Sequence, residues 1–165
     1  MMTRDDLFAV LDSVKDPEVP VLSVVELGVV RDVELDDAQG VTVVVTPTYS
    51  GCPAMRVIEE DIVAALQAHG VEQPRIRTSY APAWTTDWLT EDAKRKLEAY
   101  GIAPPGPVPS LEDDLVPLRR KAQVVHCPYC KSPDTELRSE FGSTACKSIR
   151  YCNACRQPFE QFKAI

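Results

Sequence analysis

The chain has 165 residues, 44% of them hydrophobic and 26% charged, with a formal charge of -7 at pH 7 and a sequence pI near 4.9. That acidic balance excludes a general nucleic-acid binder, whose affinity rests on cationic contacts with phosphates, and directs attention to protein or small-molecule partners. No stretch approaches the roughly eighteen apolar residues of a membrane helix, and no apolar run follows a basic N-terminal segment, so a cytoplasmic protein with no membrane partner is expected.

Thr3 is placed to cap a first helix, with Asp5 and Asp6 in its first turn and Leu7, Val10, Leu11 and Val14 at helical spacing. That helix must stop before Asp16-Pro17-Glu18-Val19-Pro20, because proline removes an amide donor and biases its predecessor away from the helix. Asp16 and Glu18 are candidate cation ligands or thiol-orienting groups, although such carboxylates more often cap turns or stay solvated. Leu27-Gly28 leads into a strand at 29–35, with Val29, Arg31, Val33 and Leu35 on one side and Asp32 and Glu34 on the other. The turn at 36–40 predicts a hairpin with the β-branched run at 41–46.

Thr46-Pro-Thr-Tyr-Ser-Gly-Cys-Pro53 then turns a strand into a helix marked by Met55, Ile58, Ile62 and Leu66. Gly51 suits the tight turn and Pro53 the first helical position. Cys52 thus meets the N-terminal end of a helix, where unpaired amides and the dipole favour thiolate; it is a candidate metal ligand or nucleophile, against the plainer reading of a small residue packed under the turn. Gly70 suits the helix end, Arg75-Ile-Arg-Thr-Ser79 reads as a third strand, and Thr90 caps a further helix. Trp84 and Trp88 are expected to close the core or shield the Cys52 turn, with an exposed docking patch as the alternative. The proline-rich segment that follows reads as an extended, semi-rigid linker, which gives a first domain at 1–103, a linker at 104–121 and a second domain at 122–165.

Six cysteines in a reducing compartment read as metal or redox groups rather than disulfides. Cys127-Pro-Tyr-Cys130 and Cys152-Asn-Ala-Cys155 are two C-x-x-C pairs with twenty-one residues between them, a zinc-ribbon spacing that sets four thiolates around a tetrahedral ion. Structural zinc is the leading expectation; an iron–sulfur cluster and a dithiol redox site are the alternatives. Metal binding would supply much of the folding free energy of so small a module. Cys146 belongs to neither pair and is expected at the tip between two ribbon strands, where Lys147 would lower its pKa, against the plainer reading of an exposed loop thiol with no role.

Taken together, Asp16-Pro-Glu18, Leu27-Gly28, the Thr46–Pro53 turn and Trp84-Thr85 resemble the domain shared by SufT-like proteins and cytosolic iron–sulfur assembly factors. With Cys127-Pro-Tyr-Cys130, Phe141-Gly-Ser-Thr-Ala-Cys-Lys147 and Cys152-Asn-Ala-Cys155 added, the chain is similar to the PaaD family of phenylacetyl-CoA epoxidase components. The resemblance implies an α+β fold: a small mixed sheet with helices, then a small β-rich zinc ribbon. It implies a cytoplasmic accessory protein of aerobic phenylacetate breakdown, whose partners are the di-iron oxygenase and the iron–sulfur flavin reductase of that system. It also implies that Cys52 is the functional thiol of the first domain. Transient iron or an iron–sulfur cluster would pass by Cys52, with Asp16, Glu18 and Cys146 as further candidates. No Glu-x-x-His pair, glycine-rich dinucleotide loop or nucleophile elbow is found, so a maturation factor without catalysis of its own is expected. A structural bridging component is the alternative.

Overall fold

Thr3 and Asp6 exchange the reciprocal hydrogen bonds of a capping box, Asp6 N–H to Thr3 Oγ1 at 3.2 Å and Thr3 N–H to Asp6 Oδ2 at 2.8 Å, which start helix α1 at Arg4–Leu11. The structure is a computed structural model that describes residues 2–36, 40–108 and 123–165. The chain forms two compact units, Met1–Trp84 with Trp88–Ala93, and Thr85–Asp87 with Lys94–Ile165.

In the first unit, β1 (Val30–Leu35) and β2 (Val41–Val45) pair antiparallel, helix α2 (Ala54–Ala68) follows, and β3 (Arg75–Thr78) returns parallel to β2. The mixed sheet has the order β1-β2-β3. Ile58, Ile62 and Leu66 of α2, Leu7 and Leu11 of α1, and Val43 and Val45 of β2 are buried, the apolar stripes that the helical and strand periods predict. The strict alternation expected for 29–35 fails because β1 carries a bulge: Val30 pairs with Val45 and Asp32 with Val44, leaving Arg31 as the extra residue. Val30 and Val33 are then both buried, Arg31 is exposed, and its guanidinium lies 3.6 Å from the centroid of the Trp88 ring. Trp84 is buried and donates Nε1–H to Leu27 O at 2.9 Å, so the tryptophan pair closes this core. Gly28, at φ 78°, makes the adjacent turn with Trp84 Nε1 and the Trp88 Cβ within 3.7 Å of where its own Cβ would sit.

Helix α3 (Glu91–Ala99) starts under the Thr90 side chain, which accepts from Ala93 N–H at 3.1 Å. The second unit holds a four-stranded sheet in the order β4-β7-β6-β5, made of β4 (Ile102–Ala103), β5 (Thr135–Ser139), β6 (Lys147–Cys152) and β7 (Pro158–Phe162). β5, β6 and β7 are the antiparallel ribbon. β4 pairs parallel with β7, through Ile102 opposite Glu160 and Ala103 opposite Gln161. Residues read from the sequence as the end of the first domain thus form an edge strand of the ribbon sheet, and Ala103 packs in one cluster with Val125, Cys127, Cys152 and Phe159. Of the linker expected at 104–121, residues 109–121 lie outside the described residues.

Because β4 contributes two buried side chains, a fragment beginning at Pro104 is expected to be less stable than one beginning at Gly101. Urea denaturation of the two zinc-loaded fragments should show a deficit of about 2–5 kcal/mol, the range for losing one buried isoleucine side chain. Equal midpoints and slopes would show that β4 is dispensable to the ribbon.

Candidate metal centre and thiol sites

Cys127 and Cys130 sit on a tight turn before β5, whereas Cys152 ends β6 and Cys155 lies on the turn into β7. The two turns repeat one hydrogen-bond pattern. In the first, Cys127 N–H donates to Ser132 O and Lys131 N–H to Cys127 O, each at 2.9 Å; in the second, Cys152 N–H donates to Gln157 O at 3.0 Å and Arg156 N–H to Cys152 O at 2.9 Å. Asn153 fastens the second turn to the exit of the first, through its N–H to Asp134 O and its Nδ2 to Asp134 Oδ1, both at 3.0 Å.

These turns bring the four sulfurs within 4.8 Å of one another, with Cys127 and Cys155 at 3.7 Å and Cys130 and Cys152 at 3.5 Å. Zinc–sulfur bonds of about 2.3 Å at tetrahedral angles place sulfurs roughly 3.8 Å apart, so the cage fits a tetrahedral ion and its all-sulfur donor set suits zinc. Bound there, zinc would supply a cross-link between the two turns. Cys127 and Cys152 are buried, Cys155 is intermediate and Cys130 is exposed. His126 is exposed and is not part of the group.

The metal-free cage is electrostatically uneven. The backbone N–H of Cys155 is the main influence that holds the Cys152 thiol down to about 7, burial opposing it. Burial first, then the neighbouring sulfurs, pushes the Cys155 thiol up to about 12. The ionised Cys152 therefore stabilises the metal-free fold above the ordinary thiol value of 9.0, and this contribution is lost as pH falls through about 7. Cys155 runs the other way, its contribution full below 9.0 and lost as pH rises through about 12.

Cys52 stands one residue before Pro53, the N-cap of α2, in a turn where its N–H donates to Tyr49 O and its carbonyl accepts from Met55 N–H, both at 3.3 Å. Gly51, at φ 82° with open space around its missing Cβ, makes that turn. The Cys52 side chain is partly exposed. Asp16 is buried, and its Oδ1 accepts from the N–H groups of Glu18 at 2.7 Å and Val19 at 2.8 Å, the turn-capping role that a carboxylate before proline commonly takes. Glu18 is half-buried. Cys146 is buried in the turn between β5 and β6, its sulfur 3.0 Å from Thr144 Oγ1. Beside it, buried Lys147 directs Nζ to Glu160 Oε2 at 3.1 Å, while Glu160 Oε1 accepts from Ser143 N–H at 2.7 Å. Among the described residues, the ribbon cysteines are the group of three or more potential ligands that the fold gathers; Cys52, Asp16, Glu18 and Cys146 are not brought into it.

Because Cys155 must lose a proton before it can ligate, zinc capture by the metal-free chain should release protons and weaken as pH falls from about 8 to about 6. Chelator competition across that range checks this. A pH-independent affinity would contradict the four-thiolate set.

Residues 112–163 match the model of the PaaD zinc β-ribbon domain, and residues 4–73 match that of iron–sulfur cluster assembly proteins. Over 160 residues the chain is 43% identical to an Escherichia coli (strain K12) protein named as the D component of a candidate 1,2-phenylacetyl-CoA epoxidase, spanning 97% of this chain and 92% of that one. It is 34% identical to an Fe–S protein maturation auxiliary factor of Porphyromonas gingivalis (strain ATCC BAA-308 / W83), over 59% of this chain and 92% of that protein. A crystal structure of a domain of unknown function from Bacillus anthracis superposes with a TM-score of 0.54 at 29% identity, covering 57% of this chain and 90% of that one. The α+β architecture, the four-sulfur cage and the near full-length similarity agree, and the chain belongs to the PaaD family of phenylacetyl-CoA epoxidase components.

Proposed function

We propose that the protein is a cytoplasmic accessory component of a phenylacetyl-CoA epoxidase system in aerobic phenylacetate breakdown, which helps to load iron or an iron–sulfur cluster into its partners and does not itself oxidise substrate. The observation that carries this reading is the placement of Cys52: a partly exposed thiol on a tight turn before a helix, inside the segment similar to iron–sulfur cluster assembly proteins. Thiolate suits iron–sulfur cargo, whereas di-iron delivery would more naturally use carboxylates, so the iron–sulfur flavin reductase is the preferred client over the di-iron oxygenase. Asp16 and Glu18 are the candidate oxygen donors in the transfer, and one Asp16 oxygen already serves the 16–19 turn. Cys146 is buried, so handing cargo to it would require the 141–147 loop to open. The role therefore rests on Cys52. Zinc in the ribbon is structural in this reading.

One observation favours a second reading, a bridging protein that joins the epoxidase components and handles no cargo. Among the described residues, no set of three potential ligands gathers around Cys52, so any cargo would have to complete its coordination with the client's own ligands.

The two readings part on Cys52→Ser in the co-expressed complex. Cargo handling requires iron content and epoxidase activity to fall at least the roughly tenfold that losing even an outer-shell partner costs a metal site. Unchanged iron and activity, with the variant still co-purifying in fixed ratio, would sink cargo handling and leave the bridge.

A further inference from the structure

Among the described residues, two non-glycine residues have positive φ, Lys131 at 64° and Arg156 at 59°. Each directly follows the second cysteine of its pair, and each sends its backbone N–H to the carbonyl of the first cysteine. The turn requires the left-handed conformation here, where glycine sits without strain and a side chain does not. The turn thus accounts for the backbone angle but not for the residues: both positions carry a cation, in a chain of formal charge -7. Strain held at the same point of two repeated turns points to a use for the side chain.

The two cations differ in their surroundings. Lys131 Nζ donates to Pro128 O at 3.1 Å, which holds it over its own turn, and pairs with Glu98 Oε1 at 2.6 Å. Arg156 is exposed, and no described residue gives its guanidinium a hydrogen bond, an ion pair or a ring contact.

We propose that Lys131 and Arg156 are the electrostatic complement of the loaded metal centre. Four thiolates around one divalent ion leave two negative charges uncompensated. A cation on the residue after the second cysteine of each pair offsets that charge and favours the loaded centre over the empty one. Arg156 contributes more of this than Lys131, whose charge Glu98 partly neutralises. The inference rests on the reading of the four cysteines as a metal site.

The test uses the full-length chain with zinc as the probe. Arg156→Gly and Arg156→Asn both tolerate the left-handed backbone and both remove the charge, whereas Arg156→Lys keeps it. In chelator competition at low ionic strength, the two neutral variants should hold zinc about two- to fivefold more weakly, the lysine variant should match the parent, and the gap should close near 1 M salt. Equal or tighter zinc binding by Arg156→Gly, which relieves the backbone, would overturn the proposal, as would a deficit that salt leaves unchanged. A parent chain that takes up no zinc would instead overturn the metal reading, and this inference with it.

Discussion

Four sulfurs within 4.8 Å of one another are a constraint that the second unit cannot satisfy with thiolates alone. Ionised together they repel, and protonated together they leave the two turns with no strong link between them. A tetrahedral cation resolves both, and the surrounding residues are arranged as that solution requires. Val125, Phe159 and Ala103 pack around the inner cysteines, two copies of one turn fix the sulfur positions, and the Asn153 to Asp134 pair holds those turns together. In ribbon modules of this size, metal binding supplies much of the folding free energy.

The thiol in the first unit obeys a different logic. Cys52 is carried by a turn whose shape comes from Gly51 and Pro53 and whose far side is anchored by the buried stripe of α2. This thiol is partly open to solvent and lies outside the tetrahedral cage. Cys146 illustrates the contrast, because the loop that carries it is fastened from within by the Lys147–Glu160 pair and by Ser143.

Much of this was legible from residue order. The Thr3 and Thr90 caps, the 3.6-residue stripe of α2, the hairpin across 36–40 and the two C-x-x-C pairs each carry a local signature that tertiary context did not override. What escaped depended on distant partners. Nothing local in Ile102-Ala103 marks a strand, since its pairing is supplied by Glu160 and Gln161. The β1 bulge moved Arg31 off the buried side onto Trp88, a shift that alternation alone cannot encode. The buried state of Cys146 goes with a loop that is tied to Glu160 through Ser143, a contact that lies outside the loop's own sequence. The cations at 131 and 156 could have been noticed as residues standing where ribbon turns favour glycine, but only the positive φ turns that into evidence.

The occupant of the ribbon cage is reported most directly by X-ray absorption at the zinc edge of the purified chain. It should report one zinc per chain with a first shell of four sulfurs at about 2.3 Å. A shell containing nitrogen or oxygen, or iron in place of zinc, would contradict it.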